Sequence, residues 1–236
     1  ALEFIAAGVT QRISGARVQI NHTQETVTKL VVELDGVQIK VEPNQVLRGS
    51  VYPSEIRDLC GEAQALFEQF VSARTLSLAD LYGGKICATL DRQHPRDLYD
   101  VRLLLENEGL TPQVRRAFVV YLASHDRPMH ELLDPQCKDI AKTYKAEFIG
   151  MTREDISLDA LNETREKLLS LIRKDLDTDE KRFLLSMKQG EPEWDVLGIP
   201  HLRDLPALQW KLQNIRRMNS AKRGKALEKL QQVLAL

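Results

Sequence analysis

The spacing of apolar and polar positions changes twice along the chain, and each change marks a new kind of element. Leu2, Ile5, Ala6, Val9 and Ile13 recur at helical spacing, which predicts an opening helix. No capping residue or initiator methionine precedes it, so the chain reads as one truncated at its front and entered mid-helix. From Arg17 to Glu42 the period falls to two: Val18 and Ile20, then Leu30, Val32 and Leu34, then Val37, Ile39 and Val41 alternate with polar residues. Three strands are expected there. Asp35-Gly36 lies between the second and third, and suits a type I′ turn, whose two central residues both need positive φ. Pro43 has no N–H for a ladder and is expected to end the third strand.

Beyond Tyr52 helical spacing dominates, with one short alternating run, Phe70, Val71, Ala73 and Leu76, as a candidate last strand. Helices are predicted over Leu78–Leu90, over Leu98–Leu105 with Asp97 as N-cap, and over Val114–Leu122 after the cap pair Thr111-Pro112. Further helices are expected over Leu158–Leu176, over Asp179–Met187 and from Ala207 onward, with Pro192, Pro200 and Pro206 as punctuation. The class is therefore α+β, with a sheet-bearing part over residues 1–76 and a helical part over residues 77–236 packed against it. Trp194 and Trp210 have apolar neighbours and are expected to be core anchors.

Composition narrows the function classes. With 236 residues, 43% hydrophobic and 28% charged, the chain has the make-up of a globular protein. Its longest unbroken apolar run, Ala117–Ala123, is seven residues, against the ~20 that span a membrane. A net charge of -1 leaves attraction to nucleic acid to local patches. Cys60, Cys87 and Cys137 form no CxxC pair and have no zinc-spaced histidine, and the first residues lack the basic leader and apolar core of a signal peptide. Reduced thiols and a cytoplasmic setting are expected.

The densest polar cluster is KICATLDRQHPRDLYD, Lys85 to Asp100, with three basic and three acidic residues in sixteen. Lys85 and Arg92 are seven apart and share a helix face if the Leu78–Leu90 helix runs one turn further. Cations at one helix end beside carboxylates at the start of the next are what phosphoryl transfer needs. Structural roles compete with that reading: Asp97 as a cap, Asp100 paired with Arg96 on the surface, and His94 as a turn residue. Glu42, at the end of GVQIKVEPN, is a second candidate as a strand-end metal carboxylate, or an ordinary member of a solvated face with Gln38 and Lys40. Lys211, Arg216, Arg217, Lys222, Arg223, Lys225 and Lys229 face the single acid Glu228 over the last helical stretch, a solvated face or an RNA-binding patch.

Three segments in order, IKVEPNQVLRGSVYP, LADLYGGKICATLDRQHPRDLYDVRLLL and FLLSMKQGEPEWDVLGIPHLRDLPALQWKLQNI, resemble the AbiEii/AbiGii family of nucleotidyltransferase-like toxins. The resemblance implies a partial DNA polymerase β-type nucleotidyltransferase fold and a toxin of a two-gene toxin–antitoxin system linked to phage defence. Such a toxin would transfer a nucleotide from an NTP, with magnesium, to an acceptor such as tRNA. It also implies Glu42 as a metal carboxylate, Lys85 as the nucleotide-contacting lysine, Arg92 and Arg96 as nucleotide-binding, Asp97 as a catalytic or orienting carboxylate and Asp100 as its support. The patch Lys211, Arg216, Arg217, Lys222 and Arg223 would meet RNA. The family's first motif, Gly-Ser followed by Asp-x-Asp, is not found: the single Gly-Ser pair, Gly49-Ser50, follows Glu42 and leads to no Asp-x-Asp. These 236 residues are therefore expected to bind magnesium nucleotide weakly or not at all, and to carry a sheet edge that a second copy or a partner covers. The alternatives are a catalytically dead relative that binds an antitoxin or RNA, and a helical adaptor.

Overall fold

The computed structural model describes residues 2–23, 26–42 and 48–235. Its contacts divide the chain into two compact units, Ala1–Leu47 and Arg48–Leu236.

The first unit contains α1 (Leu2–Arg12), β1 (Arg17–Thr23), β2 (Thr26–Leu34) and β3 (Val37–Val41), with the strands antiparallel in the order β1-β2-β3. The register follows the period-two pattern: Val18 faces Val32, which also faces Ile39, and Leu30 lies between Ile20 and Val41. Asp35 at φ 50 and Gly36 at φ 80 make the expected turn. Leu2 and Ala6 bury against Leu30, with Val18, Val27 and Val41 around them. Alternation set the register but not the burial. Because α1 rests on β1 and β2, Val37 and Ile39 of β3 remain 61% and 59% exposed. Pro43 lies outside the described residues. Among the described residues the outer edges of β1 and β3 have no strand partner.

The second unit opens with β4 (Glu55–Asp58) and β5 (Ser72–Thr75), antiparallel to each other on either side of α2 (Gly61–Phe67). β5 falls in the expected alternating run. Its partner Glu-Ile-Arg-Asp was not predicted, since four residues with one apolar side chain carry no usable period. Then follow α3 (Leu78–Arg92), α4 (Pro95–Asn107), α5 (Pro112–Ser124), α6 (Met129–Leu133), α7 (Ala141–Glu147), α8 (Leu158–Asp175), α9 (Thr178–Gln189), a 3₁₀ turn at Leu202–Asp204, α10 (Pro206–Arg217) and α11 (Ser220–Val233). No strand follows Thr75 among the described residues.

The core gathers Ile86 and Leu90 of α3, Phe118 and Leu122 of α5, Phe183 and Met187 of α9, Leu208 of α10 and Leu230 of α11. α3 and α5 approach so closely that a Cβ on Gly83 would lie 2.8 Å from both the Ala117 Cβ and the Phe118 nitrogen. Arg115 of α5 grips the fully buried Glu180 of α9 through Nε at 2.7 Å, while Asp177 and Glu180 close a capping box at the start of α9.

Two expectations need correction. The N-cap of α4 is His94, whose Nδ1 accepts from the Arg96 N–H at 3.2 Å, with Pro95 in the first helical position and Asp97 within the first turn. Pro95 presets the helical φ, so the helix starts three residues before the expected point. Trp194 does pack against the core, but Trp210 is 54% exposed. The buried stripe of α10 is Leu208, Leu212 and Ile215, and a step of two residues from Leu208 turns about 200° around the helix, away from it.

Candidate functional site: a charged ridge on α3 and α4

The charged cluster becomes a ridge where α3 ends and α4 begins. α3 starts at Ser77, whose hydroxyl oxygen accepts from the Asp80 N–H at 3.0 Å. Its far end is closed by Gln93 in left-handed conformation at φ 54. The Gln93 amide, 3% exposed, donates to the Gln136 carbonyl, and its oxygen accepts from the Lys138 N–H and the Arg165 guanidinium. The Lys138 ammonium reaches the carbonyls of Asp91 and Arg92, satisfying acceptors that a helix end leaves free. α3 therefore runs through Arg92, and Lys85 and Arg92 do share a face.

Each cation on that face is held by a carboxylate of α4. Lys85 Nζ lies 2.5 Å from Asp100, and both side chains are about one-third exposed. Arg92 donates through Nε at 3.1 Å and a terminal nitrogen at 2.8 Å to the two oxygens of Asp97, a bidentate pair. Asp97 is the sheltered member, 15% exposed against 62% for Arg92. The Thr89 hydroxyl ties the helices together, with the Lys85 carbonyl at 2.8 Å and the Asp97 carbonyl at 3.1 Å. Arg96 and the His94 Nε2 both turn to Glu147 of α7, at 3.8 and 3.1 Å. Asp100 thus pairs with Lys85, not with Arg96 as the surface reading supposed. Burial, with Glu108 and Asp100 nearby, raises the Tyr82 phenol pKa above its ordinary 10.0 and keeps it protonated beside the ridge.

Asp80 was not singled out from the sequence, yet it organises the entry to α3. At 1% exposure, its carboxylate accepts from the N–H groups of Val51 and Tyr52 at 2.7 and 2.9 Å, from Ser77 at 2.7 Å and from the Tyr121 hydroxyl at 2.6 Å. That hydrogen bond and burial together push the Tyr121 phenol well above its usual range, burial being the larger cause. Ser77-Leu-Ala-Asp80 has the spacing of a helix-start motif, and that was the available signal.

Glu42 belongs to the first unit, where its carboxylate pairs with Lys29 at 3.1 Å. Among the described residues no three His, Cys, Asp or Glu side chains gather as a metal site. The basic positions of α10 and α11 divide by role. Lys211 donates to the carbonyls of His125 and Asp126, and Arg216 donates to the Gly190 carbonyl at 3.0 Å. Arg217 and Lys222 are exposed, and Arg223 lies over Gly190. Burial is the larger cause, and Lys188 the next, of a Lys211 pKa below its ordinary 10.5.

No helix among the described residues is long and apolar enough to cross a membrane. The model of the family described as nucleotidyl transferase AbiEii toxin, type IV toxin–antitoxin system, matches residues 1–214. No curated protein and no solved structure gives a significant match.

Proposed function

The chain belongs to the AbiEii nucleotidyltransferase toxin family of type IV toxin–antitoxin systems, and from that premise we propose that its helical unit is the nucleotide-facing part of an enzyme that moves a nucleotide from an NTP to an acceptor such as tRNA. The observation that carries this reading is the α3–α4 ridge, where Lys85 and Arg92 share a face and are each fixed by one carboxylate. Phosphoryl transfer is catalysed mainly by positioning and by electrostatic stabilisation. A cation already held in place loses little freedom on meeting a polyphosphate. Lys85, Arg92 and Arg96 neutralise the triphosphate in this reading, Asp97 orients or accepts a proton, and Asp100 positions Lys85.

Magnesium is the family's expected cofactor, but the donors described here do not form a set for it: Glu42 is paired with Lys29, and no three-donor group is present among the described residues. Arg217, Lys222 and Arg223 would follow an RNA backbone, with Lys211 and Arg216 shaping the surface by their bonds to carbonyls. An antitoxin counterpart, a role in phage defence and a cytoplasmic setting complete the proposal, with a second copy or the partner covering the sheet edge.

The mutual compensation of both cations favours one other reading, in which the pairs are structural pins of a non-catalytic relative that binds an antitoxin or RNA. One assay separates the two: transfer of label from an NTP to tRNA, by this polypeptide and by a form that also carries the Gly-Ser and Asp-x-Asp segment. The catalytic reading expects transfer by the longer form. Lys85→Ala should then lower the rate a hundredfold to a thousandfold with the helical content unchanged, as removal of one transition-state contact costs ~2.7 to 4 kcal/mol. Equal transfer by Lys85→Ala would overturn the role of Lys85, and no transfer by either form would leave the binding reading.

A further inference from the structure

Trp210 lies in the middle of α10 and is 54% exposed. A lone apolar side chain at a surface needs no explanation by itself, but the neighbours of this one do. Trp210, Gln213 and Arg217 are three and seven residues apart, so they rise along one helix face, turned away from the buried stripe of Leu208, Leu212 and Ile215. A depression of 590 Å³ opens along that face, lined by Gln209, Trp210, Leu212, Gln213, Arg216 and Arg217, within the ~300–1,000 Å³ typical of small-ligand sites. Gln209 donates to the Arg203 carbonyl, and Arg216 donates to the Gly190 carbonyl at 3.0 Å, which fixes two of the lining side chains. The indole N–H, the Gln213 amide and the Arg217 guanidinium have no hydrogen-bond or ion-pair partner among the described residues.

Charge and composition select the occupant. α10 carries three basic residues and no acidic one. After Met151, no large apolar side chain other than Trp210 is exposed among the described residues, and Leu212 in the same depression is 3% exposed. A protein interface draws on a contiguous apolar core, which this face lacks. A flat aromatic ring flanked by an amide and a guanidinium is instead the chemistry that holds an unpaired base. The ring takes the π-face of the base, the amide both donates to and accepts from its edge, and the guanidinium takes a phosphate. Arg217 stands about 10 Å from Trp210 along the helix axis, which leaves room for a stacked base and its neighbouring phosphate.

We propose that Trp210 is a stacking platform for an unpaired base of single-stranded RNA, with Gln213 at the base edge and Arg217 on the adjacent phosphate. The inference rests on the RNA contact of the proposed function and names its class, single strand over duplex. Its test needs no turnover, and so it is decided apart from nucleotide transfer.

The test is fluorescence anisotropy of a labelled, unstructured RNA strand binding to the full chain, and of the same strand annealed to its complement, with tryptophan emission read during the single-strand titration. Trp210→Ala should weaken single-strand binding roughly 5- to 150-fold, the range for one stacked base. Duplex binding should not change, because duplex bases stack on one another. Trp210→Phe should keep most of the single-strand affinity while losing the RNA-induced quenching of tryptophan emission, and Trp210→Leu, apolar but without a ring, should bind as weakly as Trp210→Ala. Arg217→Gln should weaken both forms and lower the salt slope of binding by about one. Since both side chains are exposed, the variants should melt with the wild type. The inference falls if Trp210→Ala binds the single strand as the wild type does, or if it loses duplex binding equally. It also falls if Trp210→Leu binds as well as Trp210→Phe, the mark of an apolar contact such as a protein makes. A wild-type chain that binds neither RNA overturns the RNA contact together with the inference.

Discussion

Gly83 and Gly84 are adjacent in the middle of α3, and the structure gives opposite signs to the same substitution at the two positions. Glycine inside a helix costs about 1 kcal/mol relative to alanine, so propensity alone predicts that each Gly→Ala change stabilises. At Gly84 a Cβ meets nothing within 4 Å, and the full gain of roughly 0.5–1 kcal/mol should appear. At Gly83 the same atom would lie 2.8 Å from the Phe118 nitrogen and 2.9 Å from the Ala117 carbonyl carbon. Those are backbone atoms of α5 that no rotamer change can move aside, so the helices must separate. Overpacking of this kind typically costs ~1–3 kcal/mol, which after the propensity gain leaves a net destabilisation of up to about 2.5 kcal/mol. For a chain of this size that lowers Tm by up to roughly 10 °C, against a small rise for Gly84→Ala. Differential scanning calorimetry of the two variants and the wild type measures it directly. A Gly83→Ala protein as stable as Gly84→Ala would refute the close α3–α5 approach and the orientation of the ridge that depends on it.

Two further predictions concern reactivity and pH. Cys87 is 4% exposed and its thiol points to the Phe118 carbonyl at 3.8 Å; burial pushes its pKa far up, whereas Cys60 and Cys137 are exposed. A thiol reagent should therefore titrate two of the three cysteines in the native protein and the third only on unfolding; three equal rates would contradict the packing of α3. Burial also holds His125 and His130 below the ordinary 6.5, and the His125 Nδ1 accepts from the Arg127 N–H at 3.2 Å, which protonation would forbid. Because the folded state binds fewer protons than the unfolded one in the window below 6.5, stability should be full above that pH and decline as pH falls through it. Denaturant midpoints against pH, with NMR titration of the two imidazoles, test this; folded-state pKa values at or above 6.5 would refute it.

Much of the fold and part of the site could be read from the residues in order, because the information is local. The three-strand meander rests on a period of two and on Asp35-Gly36, which supply the pleat and the positive φ values of the turn. The helix starts at Pro112 and Leu158 rest on Thr111 and Ser157, whose side chains accept from nearby backbone N–H groups. Lys85 and Arg92 could be placed on one face because helix geometry alone relates residues seven apart. Tertiary structure decided what local periodicity does not encode: which partner each charge takes and which apolar side chain loses its water. Asp100 turned to Lys85 because α4 packs beside α3, and Asp80 became a hub because Val51, Tyr52 and Tyr121 converge on it from up to 41 positions away. Trp210 remained exposed, and Lys188 was buried, because burial depends on the neighbours that other helices bring and not on the apolar or polar character of the residue itself.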